Sequence, residues 1–223
     1  MTVTKAAKAP PAAERIRQAA LTLFAAKGFH GTGIRDLAET AGLSSASLYH
    51  YMGTKEDLLL AIMRECMTRL LTAGRRVFLD DPDPRSRLAG LVQVHVLSHA
   101  VHPLETAVVD NELRALSATA RAGIVAQRDE YEDLWRAAIE DGCASGVFRT
   151  SAPAVTRLAL LEMCSGVARW YSPRGRLALT ELATHFTEIA YGALHAEPST
   201  VDVEAARRRT RLVTEVWGVP VRR

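Results

Sequence analysis

A chain of 223 residues with 48% apolar and 24% charged side chains can bury one large core, or a medium core beside a small domain. Its net charge of +3 says little by itself about partners, and no apolar run approaches the ~18 residues of a membrane helix. Cys66, Cys143 and Cys164 lie far apart without C-x-x-C spacing, which argues against a disulfide framework or a zinc ribbon and suggests buried thiols; with no signal-peptide core, the expected compartment is the cytoplasm.

Residues 1–11 hold Lys5, Lys8 and Pro10-Pro11 with no apolar period, and read as a basic flexible arm that either follows a nucleic-acid groove or has no role. From Ala12, the stripe Ile16, Ala20, Leu23, Phe24 predicts a helix ended by Gly28. Ile34, Leu37, Ala38 and Ala41 fall at i, i+3, i+4, i+7 and predict a second helix, stopped by Gly42. Ser44 can cap a third, short helix from about Ser45 to Tyr51. Two short helices about a glycine turn form the layout of a helix-turn-helix, whose second helix enters the DNA major groove N-terminus first. A helical hairpin inside an ordinary all-α protein has the same spacing. Thr32 sits where it could cap the second helix or meet a phosphate, or both.

Gly53 breaks the chain, and Thr54 with Asp57 approximates a capping box, although the shorter Asp leaves the reciprocal bond open. The helix that follows, 55–78, is long enough to connect two domains. Asp80-Asp81-Pro82-Asp83-Pro84 stops it. Further helices are expected over 85–100, 103–116, 121–144, 153–171 and 177–195, with Val147-Phe148 as a loop packing into the core. After Glu197, a helix within 201–217 docks through Trp217, its arginines 207–209 and 211 forming a solvated face rather than a nucleic-acid patch. His95, His99 and His102 fall at i, i+4, i+7. They read as polar lining of a cavity in preference to a metal site, since no carboxylate or thiol has matching spacing. No P-loop, dinucleotide fingerprint or G-x-S-x-G elbow is found, so no metal, cofactor or enzymatic activity is expected.

The run Ile16 to Phe29, with Thr32, Ile34-Arg35-Asp36-Leu37-Ala38, Ala41-Gly42-Leu43-Ser44, Ser47-Leu48-Tyr49-His50-Tyr51 and Thr54-Lys55-Glu56-Asp57-Leu58-Leu59, resembles the tetracycline-repressor (TetR) family of bacterial transcription regulators over about 11–71. The resemblance implies an all-α fold: an N-terminal three-helix DNA-binding domain (12–54) with a helix-turn-helix, and a larger helical ligand-binding and dimerisation domain (55–195), followed by a tail, 196–223. It also implies that the connecting helix transmits a ligand signal. On this reading Ser44, Ser45 and Ser47 face the major groove, while Thr32, Gly33, Tyr49, His50, Tyr51 and Lys55 complete the DNA-contacting set, mostly at phosphates.

A second resemblance covers Asp110, Glu112, Arg114, Arg128, Tyr131, Trp135, the run 139–148 and Val167-Ala168-Arg169-Trp170-Tyr171-Ser172-Pro173 with Gly175, Leu177 and Thr180. It is similar to the TetR-type repressors that respond to acyl-CoA thioesters of steroid and fatty-acid breakdown. That implies a small-molecule effector, an acyl-CoA being one candidate, held by His95, His99, Glu112, Arg128, Tyr131, Trp135, Arg169 and Trp170. Arg114 and Arg121 are further phosphate partners. Leu158, Leu161, Val167, Leu182, Phe186, Ile189 and Gly192 offer more apolar surface than one core face needs, so a homodimer through the helices around 157–170 and 177–194 is expected. The reading is a repressor released from a palindromic operator. An activator, a regulator of a non-CoA hydrophobic compound, or a helical dimeric interaction protein without effector are the alternatives.

Overall fold

The computed structural model describes residues 10–80, 82–197 and 203–218. The arm 1–11 therefore lies almost entirely outside the described residues. Those that are described fold as helices α1 (Ala12–Gly31), α2 (Ile34–Ala41), α3 (Ser45–Met52), α4 (Lys55–Asp80), α5 (Pro84–Val101), α6 (Pro103–Asn111), α7 (Ala118–Ala144), α8 (Pro153–Ser165), α9 (Val167–Trp170), α10 (Leu179–Ala193) and α11 (Val203–Trp217), without a strand. This is the expected all-α class.

Local chemistry sets the boundaries of the N-terminal unit. Gly28 breaks α1 with φ 73° and ψ 166°, a conformation a side chain resists, and the break turns Phe29 into the core. Gly42 takes the left-handed conformation (φ 63°) that closes α2, with Leu43 N–H donating to Ala38 O at 2.9 Å. Ser44 caps α3 by accepting from Ser47 N–H at 3.1 Å. The capping box of α4 is reciprocal after all: Asp57 accepts from Thr54 N–H (2.9 Å), and Thr54 Oγ1 accepts from Asp57 N–H (3.0 Å). Ile16, Ala20, Phe24, Leu37, Ala38, Leu48 and Met52 close a small core among α1, α2 and α3.

The second unit wraps α5. Every residue from Gly90 to Ala100 is buried, so this helix is covered on all sides by α4, α7, α8, α10 and α11. Two expected helices are interrupted. The stretch 103–116 leaves the α path at Glu112 and ends in a 3-10 turn, Leu113–Ala115, because the Glu112 carboxylate reaches across to α1. The stretch 153–171 divides at Gly166 into α8 and α9. Phe148 does pack into the core from its loop, 1% exposed. Cys66 and Cys164 are buried thiols, whereas Cys143 is only half-buried.

Candidate DNA-reading surface and ligand cavity

At 100° per residue, α3 turns Leu48 and Met52 inward and leaves Ala46 and His50 on the opposite side. Ser45 and Tyr49 flank that ridge on one side, Ser47 and Tyr51 on the other. Tyr49 and Tyr51 are 53% and 55% exposed, an outlay of aromatic surface that a helix within a folded body would bury. Ser44 and Ser45 are exposed at the helix start, while Ser47 is half-buried and its hydroxyl lies 2.9 Å from that of Ser44. Ala46, absent from the expected set, sits at the centre of the ridge. Its small apolar side chain gave no signal in the sequence, yet a methyl there suits the C5-methyl of thymine.

Two expected phosphate ligands are held elsewhere. Thr32 is 1% exposed, and its hydroxyl donates to Gly28 O at 2.8 Å. It caps the end of α1 and is closed to a phosphate; the N-cap of α2 falls to Gly33, whose N–H meets Asp36 Oδ2 at 3.5 Å. Lys55 Nζ donates to Phe29 O (2.8 Å) and Thr32 O (2.7 Å) and lies 4.2 Å from the centroid of the Phe29 ring. Its charge neutralises the carbonyl end of α1. Gly33 remains exposed at the mouth of α2, beside the exposed Arg35 in the first turn. Arg35 belongs to the resemblance but not to the expected DNA-contacting set, because an exposed arginine in a helix is ordinary in sequence.

Between α4, α5, α6, α7, α8 and α9 lies a cavity of about 210 Å³. The connecting helix supplies Cys66, Met67 and Leu70, and α8 supplies Leu158, Leu161 and Ser165. Five of the eight expected ligand residues line it: His95, His99, Arg128, Tyr131 and Arg169. His95 and His99 stack at 4.1 Å between centroids. His95 Nε2 meets Ser165 Oγ at 3.0 Å and Nδ1 meets Tyr131 OH at 3.3 Å; His99 Nδ1–H donates to His95 O at 2.8 Å, and its Nε2 lies 3.4 Å from Asp110. Burial, with His99 and Arg128 nearby, holds the pKa of His95 well below its ordinary value, so it is a neutral wall of the cavity.

The other three stand apart. Trp135 is buried behind His95, edge-on to its ring at 5.7 Å. Trp170 faces outward, 55% exposed, and stacks on Phe186 at 6.2 Å. Glu112 instead accepts from Phe29 N–H at 3.1 Å, tying the end of α6 to the broken end of α1. His102 also leaves the histidine row: its ring lies 4.2 Å from that of Trp217, so the three imidazoles do not converge. Among the described residues, no group of three His, Cys, Asp or Glu side chains could hold a metal.

Helix α6 is the shared wall. Its Thr106, Val109 and Asp110 line the cavity. Glu105, in its first turn, is paired with Arg17 of α1 and lies 3.6 Å from Arg69 of α4. Arg17 also meets Glu65 of α4 at 3.0 Å, and Glu56 at the start of α4 accepts from Ser117 N–H at 2.8 Å. The N-terminal unit is thus joined to the cavity by α4 and by both ends of α6.

Known protein families match both parts of the chain. Residues 16–62 match the model for bacterial regulatory proteins of the tetR family, and residues 81–194 match that for the tetracyclin repressor-like C-terminal domain. The HTH-type transcriptional repressor KstR2 of Rhodococcus jostii is 29% identical over 177 residues, 78% of this chain and 87% of its own length. Among solved structures, the TetR family regulator PfmR of Thermus thermophilus is 30% identical with a TM-score of 0.71, covering 83% of this chain and 100% of its own. AibR, solved in complex with isovaleryl coenzyme A and operator DNA, has the same fold, with a TM-score of 0.72 at 24% identity over 84% of this chain and 100% of its own. No helix among the described residues is long and apolar enough to cross a membrane. With a helix-turn-helix at one end, a cavity at the other and both parts matched, this chain belongs to the TetR family of ligand-responsive, DNA-binding transcriptional regulators.

Proposed function

We propose that the protein is a repressor that grips a two-fold symmetric operator as a homodimer and releases it when an effector enters the cavity of each subunit. The observation that carries this reading is the double role of α6, which faces the cavity through Thr106, Val109 and Asp110 and holds α1 through Glu105 and Glu112. An effector that displaces α6 or α4 shifts α1, and α1 carries the reader. Because two recognition helices must enter grooves about 34 Å apart together, a small tilt weakens both contacts.

The reader comprises 12–54 and the ligand-binding and dimerisation unit 55–195, with α4 belonging functionally to both. On the DNA side, Ser44, Ser45, Ala46 and His50 read bases, while Gly33, Arg35, Tyr49 and Tyr51 hold the backbone. Val155, Leu158, Trp170 and Ile189, each at least half exposed on α8, α9 and α10, form the dimer face. Val167, Leu182 and Phe186 belong to the chain's own core.

The effector fits an acyl-CoA thioester, the ligand class present in the AibR complex. A cavity of about 210 Å³ is below the usual size of a site enclosing a whole drug-sized ligand, so it takes the acyl portion and leaves the nucleotide outside. Arg128, half-buried, and Arg169, exposed at the edge, are placed to meet the anionic part. The Ser165–His95 contact is read as a binding wall, since His95 Nδ1 faces Tyr131 and no carboxylate orients it as a base. The test is to titrate an acyl-CoA series against the operator complex of wild type, Arg128→Ala and Arg169→Ala. Release by the ester in wild type, weakened in at least one variant, is expected. Equal release by the free acid, or equal responses in all three proteins, overturns the CoA assignment and leaves the repressor assignment standing.

A further inference from the structure

The C-terminal helix falls outside both family matches, the later of which ends at residue 194. It is nevertheless docked along its length. Ala206, Val213 and Trp217 are buried, Arg209 lies 3.7 Å from Asp80, and Arg76 meets Glu215 at 2.7 Å. Its last residue reaches the ion cluster that joins reader to body. The Trp217 ring stacks on His102 at 4.2 Å and 11°, and the Arg69 guanidinium lies 5.2 Å from the centroid of the indole. His102 Nδ1 is 3.3 Å from Glu105, the carboxylate that pairs with Arg17 of α1. Among the described residues Trp217 Nε1 has no hydrogen-bond partner, so the indole acts here through its ring face.

We propose that α11 is a positioning element of the DNA reader and that Trp217 is the residue through which it acts, by walling the Arg17–Arg69–Glu105–His102 part of the ion cluster from water, with Glu65 at its exposed edge. The physical reason is that charge pairs strengthen and hold one geometry where water is excluded. With the indole in place, Arg69 and His102 are confined, Glu105 has one orientation, and Arg17 fixes α1 against α4 and α6. Without it, water reaches His102 and Arg69, Glu105 is shared among several arrangements, and α1 samples more orientations. A reader that is less pre-organised binds its two half-sites more weakly.

The experiment measures affinity for a duplex that the wild-type protein selects from a random-sequence pool, using full-length Trp217→Ala, Trp217→Phe, Glu105→Gln and the Trp217→Ala/Glu105→Gln double variant. Trp217→Ala is expected to weaken binding roughly five- to thirtyfold. Trp217→Phe stays within about twofold, because it keeps the stacked ring and the indole N–H is unused. In the Glu105→Gln background, the alanine change costs less than about twofold, since the cluster through which it acts is already disabled. A purely structural role moves affinity equally in both backgrounds, and that result overturns the proposal, as does unchanged affinity in Trp217→Ala. Should Trp217→Ala not fold, His102→Ala, which removes the other ring of the stack, is put through the same comparison and judged by the same outcomes.

Discussion

Lys55 shows how far a side chain's role depends on what the fold places beside it. The resemblance implies a phosphate ligand at this position, yet the Lys55 ammonium is enclosed by Phe29 O, Thr32 O and the Phe29 ring. Lys55→Ala is therefore expected to lower stability by about 1.5–3 kcal/mol in denaturant titration, the worth of hydrogen bonds to a charged group, while the salt slope of DNA binding stays unchanged. Arg35→Ala is expected to do the reverse, reducing that slope by about one with stability intact. Interchanged results would restore the sequence-based assignment. His102 gives a second residue-scale test. Burial, then Arg69 and Arg17, lower its pKa from 6.5 to about 4, while Glu105 and the Trp217 ring also face it. The unfolded chain binds a proton below 6.5 that the folded ring refuses until about 4. This contribution to stability is therefore full above 6.5 and lost as pH falls toward 4. Between pH 7 and 5.5, wild type should lose about 1 kcal/mol more than His102→Phe, which keeps the stack and cannot titrate. Parallel stability profiles for the two proteins would remove His102 from this role.

The elements were legible wherever a local rule governed them. Ser44 at a cap and Gly42 after an apolar stripe act within a few residues, and the helices begin and end accordingly, whereas Pro84, read as part of the stop, opens α5. Legibility failed where the deciding partner is distant in sequence. Glu112 left the helical path for Phe29, 83 residues away, and Trp170 turned outward onto Phe186 while a tryptophan in the sequence reads equally well as cavity lining. The cavity itself is half legible: its histidines follow from spacing and Tyr131 and Asp110 belong to the resemblance, whereas Ser165 becomes visible only when α8 meets α5. Gly28 belongs to both kinds. The sequence marks it as a helix end, and the structure shows why, since its φ of 73° lets Phe29 N–H face Glu112. A Cβ there would also stand 3.4 Å from Glu112 Oε1. Gly28→Ala should cost about 1–3 kcal/mol and lower the melting temperature by several degrees. An unchanged melting temperature would mean that the break in α1 carries no strain for a side chain.

At the scale of the whole molecule, the reading requires two subunits and two coupled sites. Val155→Glu with Ile189→Glu places carboxylates on the exposed faces of α8 and α10 without touching the buried core. The variant should sediment as a monomer at micromolar concentration and bind operator weaker by roughly two orders of magnitude or more, through loss of bivalence. A folded dimer that retains affinity would place the interface elsewhere. The central claim, that cavity and reader are linked through α4 and α6, has a direct thermodynamic measure because linkage is reciprocal. The decisive measurement is the affinity of an acyl-CoA that releases the operator, determined by calorimetry on the free protein and again on the operator complex. A coupling of about 1–3 kcal/mol predicts binding to the complex that is weaker by some 5- to 150-fold, the same factor by which the ester weakens DNA binding. Equal affinity for the free protein and for the complex would contradict the account.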